Sequence, residues 1–393
     1  MEKRTIGILG DGQLAQMTCL AGQALGFEMH VYASHQDNPA ALVADRVWVG
    51  ELSDASRLAE FARAVSVVTY DTELLPIDGV RLVASNTAAY PHPDILWIAQ
   101  NRIREKSFLN DHDIPTARVQ VVECMEDLVS GVGSLGVPCV IKTAEQGYDG
   151  KGQVRIDDLS ESVRAYDALG HVPCILEEWL QFEREMSVIV AGSLAGEYTT
   201  FPVIDNIHKN HILHISSAPS TLPHHVQELA KDIAIRIAKA MNLVGLLTIE
   251  MFHTKDGRVL VNELAPRPHN SGHHTQRSAK TSQFEQLCRA ITGAKLGETV
   301  QRPAAMVNLL GDLFVGTGHD MYQSVGFINE SSWDQWMASK WPDVSLSVYF
   351  YGKKVARSGR KMGHAIAVSD DREQALRAIM DLYDVAIAAS GRN

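Results

Sequence analysis

The sequence predicts an α/β protein that opens with a parallel sheet. Short apolar runs at residues 5–9, 28–32 and 65–70 are separated by helix-like stretches, and strands that alternate with helices pair in parallel. The first run ends in Gly10-Asp11-Gly12-Gln13-Leu14-Ala15, the small-residue turn of a strand passing tightly into a helix. The chain's 393 residues, 45% hydrophobic and 21% charged, suffice for two or three domains with real cores.

Taken in order, the helix after the first turn is expected to reach about Leu25 and stop at Gly26. The turn matches half of a dinucleotide fingerprint, with Ala15 in the third glycine place. No carboxylate ends the strand at 28–32, where Tyr32-Ala33-Ser34-His35 follows, so close packing explains the glycines better than a dinucleotide does. Glu73 lies just past the strand at 65–70, where a side chain can face a ligand crevice.

A second segment begins near Asn101 with a helix over 102–112, broken by Ile114-Pro115. An apolar strand ends in Lys142, and residues 146–153 (Gln-Gly-Tyr-Asp-Gly-Lys-Gly-Gln) are too rich in glycine for a regular element. Strands at 174–180 and 185–190 and a helix over 225–241 follow. Residues 246–252 and 259–264 read as a hairpin turning over 253–258 through Asp256-Gly257. A third segment starts near Gln301, with a strand at 345–351 and a closing helix over 371–389.

A net charge of −11 disfavours nucleic-acid partners and polybasic membrane attachment. No apolar run nears the roughly 18 residues of a membrane span, and the run at 6–9 is too short for a signal-peptide core. Five cysteines, widely spread and without a C-x-x-C pair, fit free thiols in a reducing, cytoplasmic setting.

Four groups of residues could carry chemistry. Gly147, Gly150 and Gly152 let backbone N–H groups approach phosphate oxygens, with Lys151 at the loop tip and Lys142 at the strand end before it. Glu250 and Glu263 fall near each other across the expected hairpin, and with Asn262 they form an oxygen-donor set suited to magnesium. Ala265-Pro266-Arg267-Pro268-His269-Asn270-Ser271-Gly272-His273-His274-Thr275 packs polar donors into an irregular stretch fit for a substrate wall. Zinc at His269, His273 and His274, or at His208, His211 and His214, is a minor alternative, and at least two of the latter three are expected to be surface residues. Residues 353–361 hold five basic side chains and no acidic one, read either as a phosphate clamp or as a solvated hairpin.

In order and spacing, Lys142, the loop 147–153, Glu177-Glu178-Trp179-Leu180, Glu250 and Asn262-Glu263 resemble the ATP-grasp superfamily. Within it, Gly-Tyr-Asp-Gly-Lys-Gly-Gln and Asn-Glu-Leu-Ala-Pro-Arg-Pro-His-Asn-Ser-Gly-His are similar to the 5-(carboxyamino)imidazole ribonucleotide synthases of purine biosynthesis, over nearly the whole chain. The resemblance implies an ATP-grasp fold. Residues 1–100 would form a Rossmann-like domain, 101–299 the ATP-grasp domain with a lid subdomain at about 122–200, and 300–393 a small C-terminal domain. It implies a carbon–nitrogen ligase in which ATP phosphorylates bicarbonate to carboxyphosphate. The carboxyl group then passes to the amine of aminoimidazole ribonucleotide.

Carried over residue by residue, Arg102 and Lys142 would contact ATP phosphates, and Gly147, Tyr148, Asp149, Gly150, Lys151, Gly152 and Gln153 would close over them. Glu177, Glu178, Trp179 and Leu180 would line the adenine pocket, Glu185 would take the ribose, and His208 would lie near the nucleotide. Glu250, Glu263 and Asn262 would hold magnesium, with manganese as a substitute, and Asn262 and Glu263 would also face ATP. Glu73, Tyr148, Arg267, His269, Asn270, Ser271, Lys353 and Arg360 would serve the ribonucleotide and bicarbonate, with Lys142, Tyr148, Lys151 and Arg267 nearest the chemistry. A homodimer is the implied assembly.

Two stretches depart from the family pattern. The opening turn lacks the usual third glycine and Leu-Gly-Arg-Met, and Thr-Tyr-Glu-Phe-Glu-Asn becomes Thr69-Tyr70-Asp71-Thr72-Glu73-Leu74. A related ligase that activates formate, or a non-catalytic nucleotide binder on the same scaffold, are the other readings. The Pro268-to-His273 run argues against the first, and the carboxylate pair with Lys142 against the second.

Overall fold

The computed structural model describes residues 4–145, 147, 151–314, 336 and 339–389. Among them the chain forms three sheets. The first holds β1 (Thr5–Leu9), β2 (Glu28–Ala33), β3 (Arg46–Val49), β4 (Val67–Tyr70) and β5 (Ala88–Ala89), all parallel, in the order β3-β2-β1-β4-β5. Helices α1 (Gln13–Ala24), α2 (Ala55–Arg63), α3 (Ile77–Ala84) and α4 (Pro93–Ala99) join or follow these strands. β1 is buried along its whole length, which is why its sequence is continuously apolar and not alternating.

The glycine turn after β1 is closed by the chain itself. Asp71, just past β4, accepts from the N–H groups of Gly12 (2.9 Å) and Ala15 (3.4 Å). A Cβ at Gly10 would stand 1.8 Å from Asp71 Oδ1. The α1 amides that a dinucleotide pyrophosphate takes in Rossmann folds therefore already hold an internal carboxylate, in keeping with the packing reading of these glycines.

The second sheet belongs to the middle segment. α5 (Arg102–Asp111) is started by Asn101, whose side chain accepts from Ile103 and Arg104 N–H at 2.9 and 3.1 Å. β6 (Val119–Val122), α6 (Met125–Leu135), β7 (Cys139–Thr143), β8 (Gln153–Ile156), α7 (Ser162–Ala168) and β9 (Cys174–Glu178) follow, and the sheet runs β6-β9-β7-β8, antiparallel throughout.

The third sheet is the largest. Its strands are β10 (Phe182–Gly192), β11 (Tyr198–Thr200), β12 (Ile204–Lys209), β13 (Ile212–Ala218), β14 (Gly245–Thr254), β15 (Val259–Ala265), β16 (Ala304–Leu310), β17 (Ser345–Phe350) and β18 (Lys361–Val368). The order is β15-β14-β10-β12-β13-β16-β18-β17, with β11 beside β10. The C-terminal segment thus adds its strands to the sheet of the middle segment, through β13 and β16. Helices α8 (His224–Ala240), α9 (Thr275–Ser278), α10 (Gln283–Thr292) and α11 (Arg372–Ala389) complete the fold. α8 buries Val226, Ala230, Ile233 and Ile237 against β10 and β14, and the i, i+3/i+4 spacing of these residues is the stripe that made the helix legible. β14 continues to Thr254, so the hairpin turn is shorter than residues 253–258 and closes at Gly257, with φ +84°.

Candidate active site

A cleft of about 1460 Å³ opens between the three sheets, lined from all three segments by residues that include Gln13, Glu73, Arg102, Lys142, Glu250 and Lys361. It exceeds the roughly 300–1,000 Å³ of a single-ligand pocket, so it has room for two substrates.

One half is built by β7, β9 and the near face of the large sheet. Lys142, at the end of β7, donates to Glu177 on β9, and Lys106 Nζ lies 3.5 Å from the other Glu177 oxygen. Burial alone would raise the Glu177 carboxyl, but Lys142 and then Lys106 outweigh it and hold it at about 2. The Glu177 side chain is therefore committed to two lysines while the residue stays on the cleft wall, so any contact it makes with a base falls to its backbone. Glu178 accepts from Arg118 N–H (3.0 Å) and Nε (2.8 Å), and the Arg155 guanidinium lies 4.3 Å from the Trp179 ring centre. Both residues, with Leu180, stay on the cleft wall.

Glu185 on β10 and His208 on β12 pair with each other in the same wall. Burial would lower the His208 imidazole, but the Glu185 hydrogen bond and nearby carboxylates raise it above its ordinary value. Of the three histidines at 208, 211 and 214, only His211 is exposed; His214 is half-buried against Tyr383, so the expected surface pair does not hold. Gly147, Lys151 and Gln153 line the cleft. Gly152 holds the loop base, its carbonyl accepting from Thr143 N–H at 2.8 Å. Tyr148, Asp149 and Gly150 lie outside the described residues.

Glu250 and Glu263 stand opposite each other in register across β14 and β15. A bulge follows at once, since Met251 pairs with Val261 and Asn262 is left over. In a regular strand neighbours face opposite sides; the bulge cancels that alternation, and Asn262 and Glu263 both reach the cleft. Glu250 Oε1 lies 2.9 Å from His269 Nε2, and Arg102 Nη1 lies 3.4 Å from Glu263 Oε2. Two carboxylates and an amide, all oxygen donors beside the cleft, fit magnesium, which takes one or two carboxylates plus substrate oxygens. Among the described residues no three His, Cys, Asp or Glu gather into a metal cage. His269, His273 and His274 point apart: His273 packs on Phe284 and His364, and His274 pairs with Ser278.

The other half centres on Arg267, which grips Glu73 with Nε and Nη2, the latter at 2.7 Å. Burial would raise Glu73, but the guanidinium outweighs it and holds the carboxyl at about 2. Asn270, 8% exposed and on the cleft wall, has neither side-chain atom hydrogen-bonded. A buried amide left open in this way is costly unless a ligand or water completes it.

Ser271 corrects its expected role. It is fully buried behind the wall, and its hydroxyl lies 2.8 Å from both His269 Nδ1 and Ser187 Oγ. It orients His269 and does not face the cleft. Lys353 also sits one side chain back, donating to Gln13 Oε1 (2.9 Å) and Lys361 O (2.8 Å). Arg360 is further off, with Nη1 on Val355 O at 2.6 Å, while its neighbour Lys361 is the basic residue on the wall. Residues 353–360 lie in the connection between β17 and β18, as the hairpin reading expects, and Lys361 opens β18.

Sequence reasoning missed Gln13, Glu105, Lys106 and Asp71 as parts of this wall. Gln13 sits in the glycine turn and could have been found. A Glu-Lys pair inside a polar helix reads as solvated surface, and nothing local marks Glu105 and Lys106 as buried.

Three family models match in succession: a ribonucleotide synthetase preATP-grasp domain over residues 3–100, an ATP-grasp domain over 107–284, and a phosphoribosylaminoimidazole carboxylase C-terminal domain over 304–378. N5-carboxyaminoimidazole ribonucleotide synthase of Bacillus subtilis is 37% identical over 96% of this chain and 95% of its own length. The chain belongs to the N5-carboxyaminoimidazole ribonucleotide synthase family of ATP-grasp ligases. A bifunctional purine synthesis protein of Dictyostelium discoideum is 38% identical over 92% of this chain, which spans only 36% of that longer protein. Among solved structures, an ADP complex of an N5-carboxyaminoimidazole ribonucleotide synthetase superposes with a TM-score of 0.86 at 36% identity, covering 98% of both chains. The Aspergillus clavatus synthase in complex with ADP and aminoimidazole ribonucleotide has the same TM-score at 25% identity, over 98% of this chain and 99% of that one.

Proposed function

We propose that this synthase-family ligase carboxylates 5-aminoimidazole ribonucleotide, using ATP and bicarbonate, to give N5-carboxyaminoimidazole ribonucleotide, ADP and phosphate in purine biosynthesis. One observation carries the reading: a single cleft joins the Lys142–Glu177 and Glu250–Glu263 half to the Glu73–Arg267 and Asn270 half.

Phosphoryl transfer asks for alignment and charge neutralisation more than for a covalent group. Arg102 and Lys142 supply cations to the ATP phosphates, with Lys142 held in place by Glu177. Glu250, Glu263 and Asn262 would hold a magnesium ion, or manganese in its place, which supplies further neutralisation on the phosphates. Gly147, Lys151 and Gln153 border the phosphates, and Trp179, Leu180 and Glu185 border the nucleoside. A bicarbonate oxygen attacks the γ-phosphorus and ADP leaves; the ribonucleotide amine then attacks the carboxyl carbon of carboxyphosphate and phosphate leaves. Carboxyphosphate hydrolyses readily, so this step needs a water-poor site, towards which the half-buried Arg267 and Glu73 and the buried Asn270 contribute. Arg267 holds the carboxyl and phosphoryl oxygens, Glu73 and Asn270 hold the ribonucleotide, and His269 is oriented by Ser271. Lys353, through Gln13, and Lys361 serve its phosphate. The cytoplasm and a homodimer are the expected setting; no helix among the described residues is long and apolar enough to cross a membrane.

ADP release from MgATP and bicarbonate is expected to require aminoimidazole ribonucleotide. Turnover that depends instead on formate and glycinamide ribonucleotide would overturn the reading.

A pH dependence follows from Lys353. Burial lowers its ammonium, Arg360 and Lys361 lower it further, and it falls to about 8 from an ordinary 10.5. Below that pH the free enzyme carries the charge, and it is lost as pH rises through about 8. One unit higher, about a tenth of the lysine stays charged, so KM for the ribonucleotide should rise by up to about tenfold by pH 9. Lys353→Arg should remove that rise; a KM that stays flat in the unaltered enzyme would contradict the assignment.

A further inference from the structure

β15 is the outer strand of the large sheet, so one side of its backbone has no neighbouring strand. It also carries the bulge that turns Asn262 and Glu263 to the cleft. Open edges and bulges leave N–H and C=O groups that must find partners or cost free energy.

Here two consecutive residues of α5 supply most of them. Lys106 Nζ donates to Asn262 O at 2.8 Å and to Val261 O at 3.3 Å. Glu105 Oε2 accepts from Leu264 N–H at 2.9 Å. Thr116 Oγ1 donates to Val261 O and itself lies 2.8 Å from Lys106 Nζ, and Pro115 O takes Val261 N–H. The Asn262-Glu263 dipeptide is therefore gripped at both ends. Lys106 is 2% exposed, and its remaining approach is the 3.5 Å contact with Glu177, the carboxylate that seats Lys142. A lysine is rarely buried so completely without paired acceptors. Besides Thr116 Oγ1, its acceptors are two carbonyls of β15, the strand that carries Asn262 and Glu263, and it approaches the carboxylate that seats Lys142.

We propose that Lys106, assisted by Glu105, is a positioning residue: it fixes the β15 bulge that aims Asn262 and Glu263, and through Glu177 it sets Lys142. The inference rests on the ATP-grasp reading of the cleft but not on the identity of the carboxyl acceptor. A long apolar side chain at position 106 would keep the packing and leave Val261 O and Asn262 O without the ammonium.

The test is calorimetric titration of the whole protein with ADP across a series of magnesium concentrations, for the unaltered chain and for Lys106→Met. This reads nucleotide and metal linkage without turnover, so it stands even if the ribonucleotide assay fails. The expected result is at least a fivefold rise in the magnesium concentration that gives half-maximal ADP affinity. A merely structural lysine would lower the thermal midpoint and leave that concentration unchanged, and this result from folded Lys106→Met would overturn the proposal. If Lys106→Met does not fold, Thr116→Val decides: it removes one donor from Val261 O without touching the cleft. A rise of at least twofold supports the proposal, and an unchanged magnesium dependence overturns it.

Discussion

Replacing Glu263 by Gln is expected to lower turnover at least about 10³-fold, equivalent to roughly 4 kcal/mol of transition-state stabilisation. The amide keeps the size and one oxygen of the carboxylate and removes its charge. Glu263 faces Glu250 in register, so it supplies half the negative charge of the proposed metal pair. Its protein partner is weak, Arg102 at 3.4 Å, and its side chain is 40% exposed. The fold should therefore change by no more than about 1 kcal/mol, as for other exposed ion pairs. Steady-state ADP release and a urea titration on the same protein check both halves. Near-normal turnover would remove Glu263 from the metal set, and lost turnover with a collapsed fold would remove the reason given for it.

Arg267→Ala should behave differently, losing activity and stability together. Arg267 and Glu73 form a two-point ion pair in the cleft wall, with side chains 16% and 33% exposed, and removing one partner leaves the other as a half-buried, uncompensated charge. Such a change should cost about 1–3 kcal/mol, between the loss of an exposed pair and that of a fully buried one. The double variant with Glu73→Ala should regain much of that stability, because no orphaned charge remains, yet stay inactive. Measured unfolding free energies for the two single variants and the double one test this directly. A double variant no more stable than Arg267→Ala alone would show that the penalty is lost packing and not charge.

The contrast between these two residues marks how far the sequence could be read. Arg267 and Glu73 lie 194 positions apart, and each was flagged on its own, one from an irregular polar stretch and one from a strand end. That they hold each other was not legible. The hairpin carrying Glu250 and Glu263 was legible, because Asp-Gly between two apolar runs sets both turn and register. The bulge beside them was not, since its backbone partners come from Lys106, Glu105 and Pro115, more than 140 residues away. Ser271 looked like a substrate contact from its neighbours and proved to be a support for His269.

What the sequence determined by itself is what short-range chemistry controls: strands that follow apolar runs, helices with buried stripes, glycine turns, and a local motif long enough to mark the family. The tertiary structure alone decided which charges are buried and whom they meet. A local stretch sets a residue's type and its face. Its surroundings depend on elements distant in the chain, and those surroundings hold the glutamates at 73 and 177 below the ordinary carboxylate range, through Arg267 and through Lys142 and Lys106, and bury a helical lysine. The net charge of −11 gave no sign of this. The anion binding proposed for this cleft rests on a few cations that folding brings together.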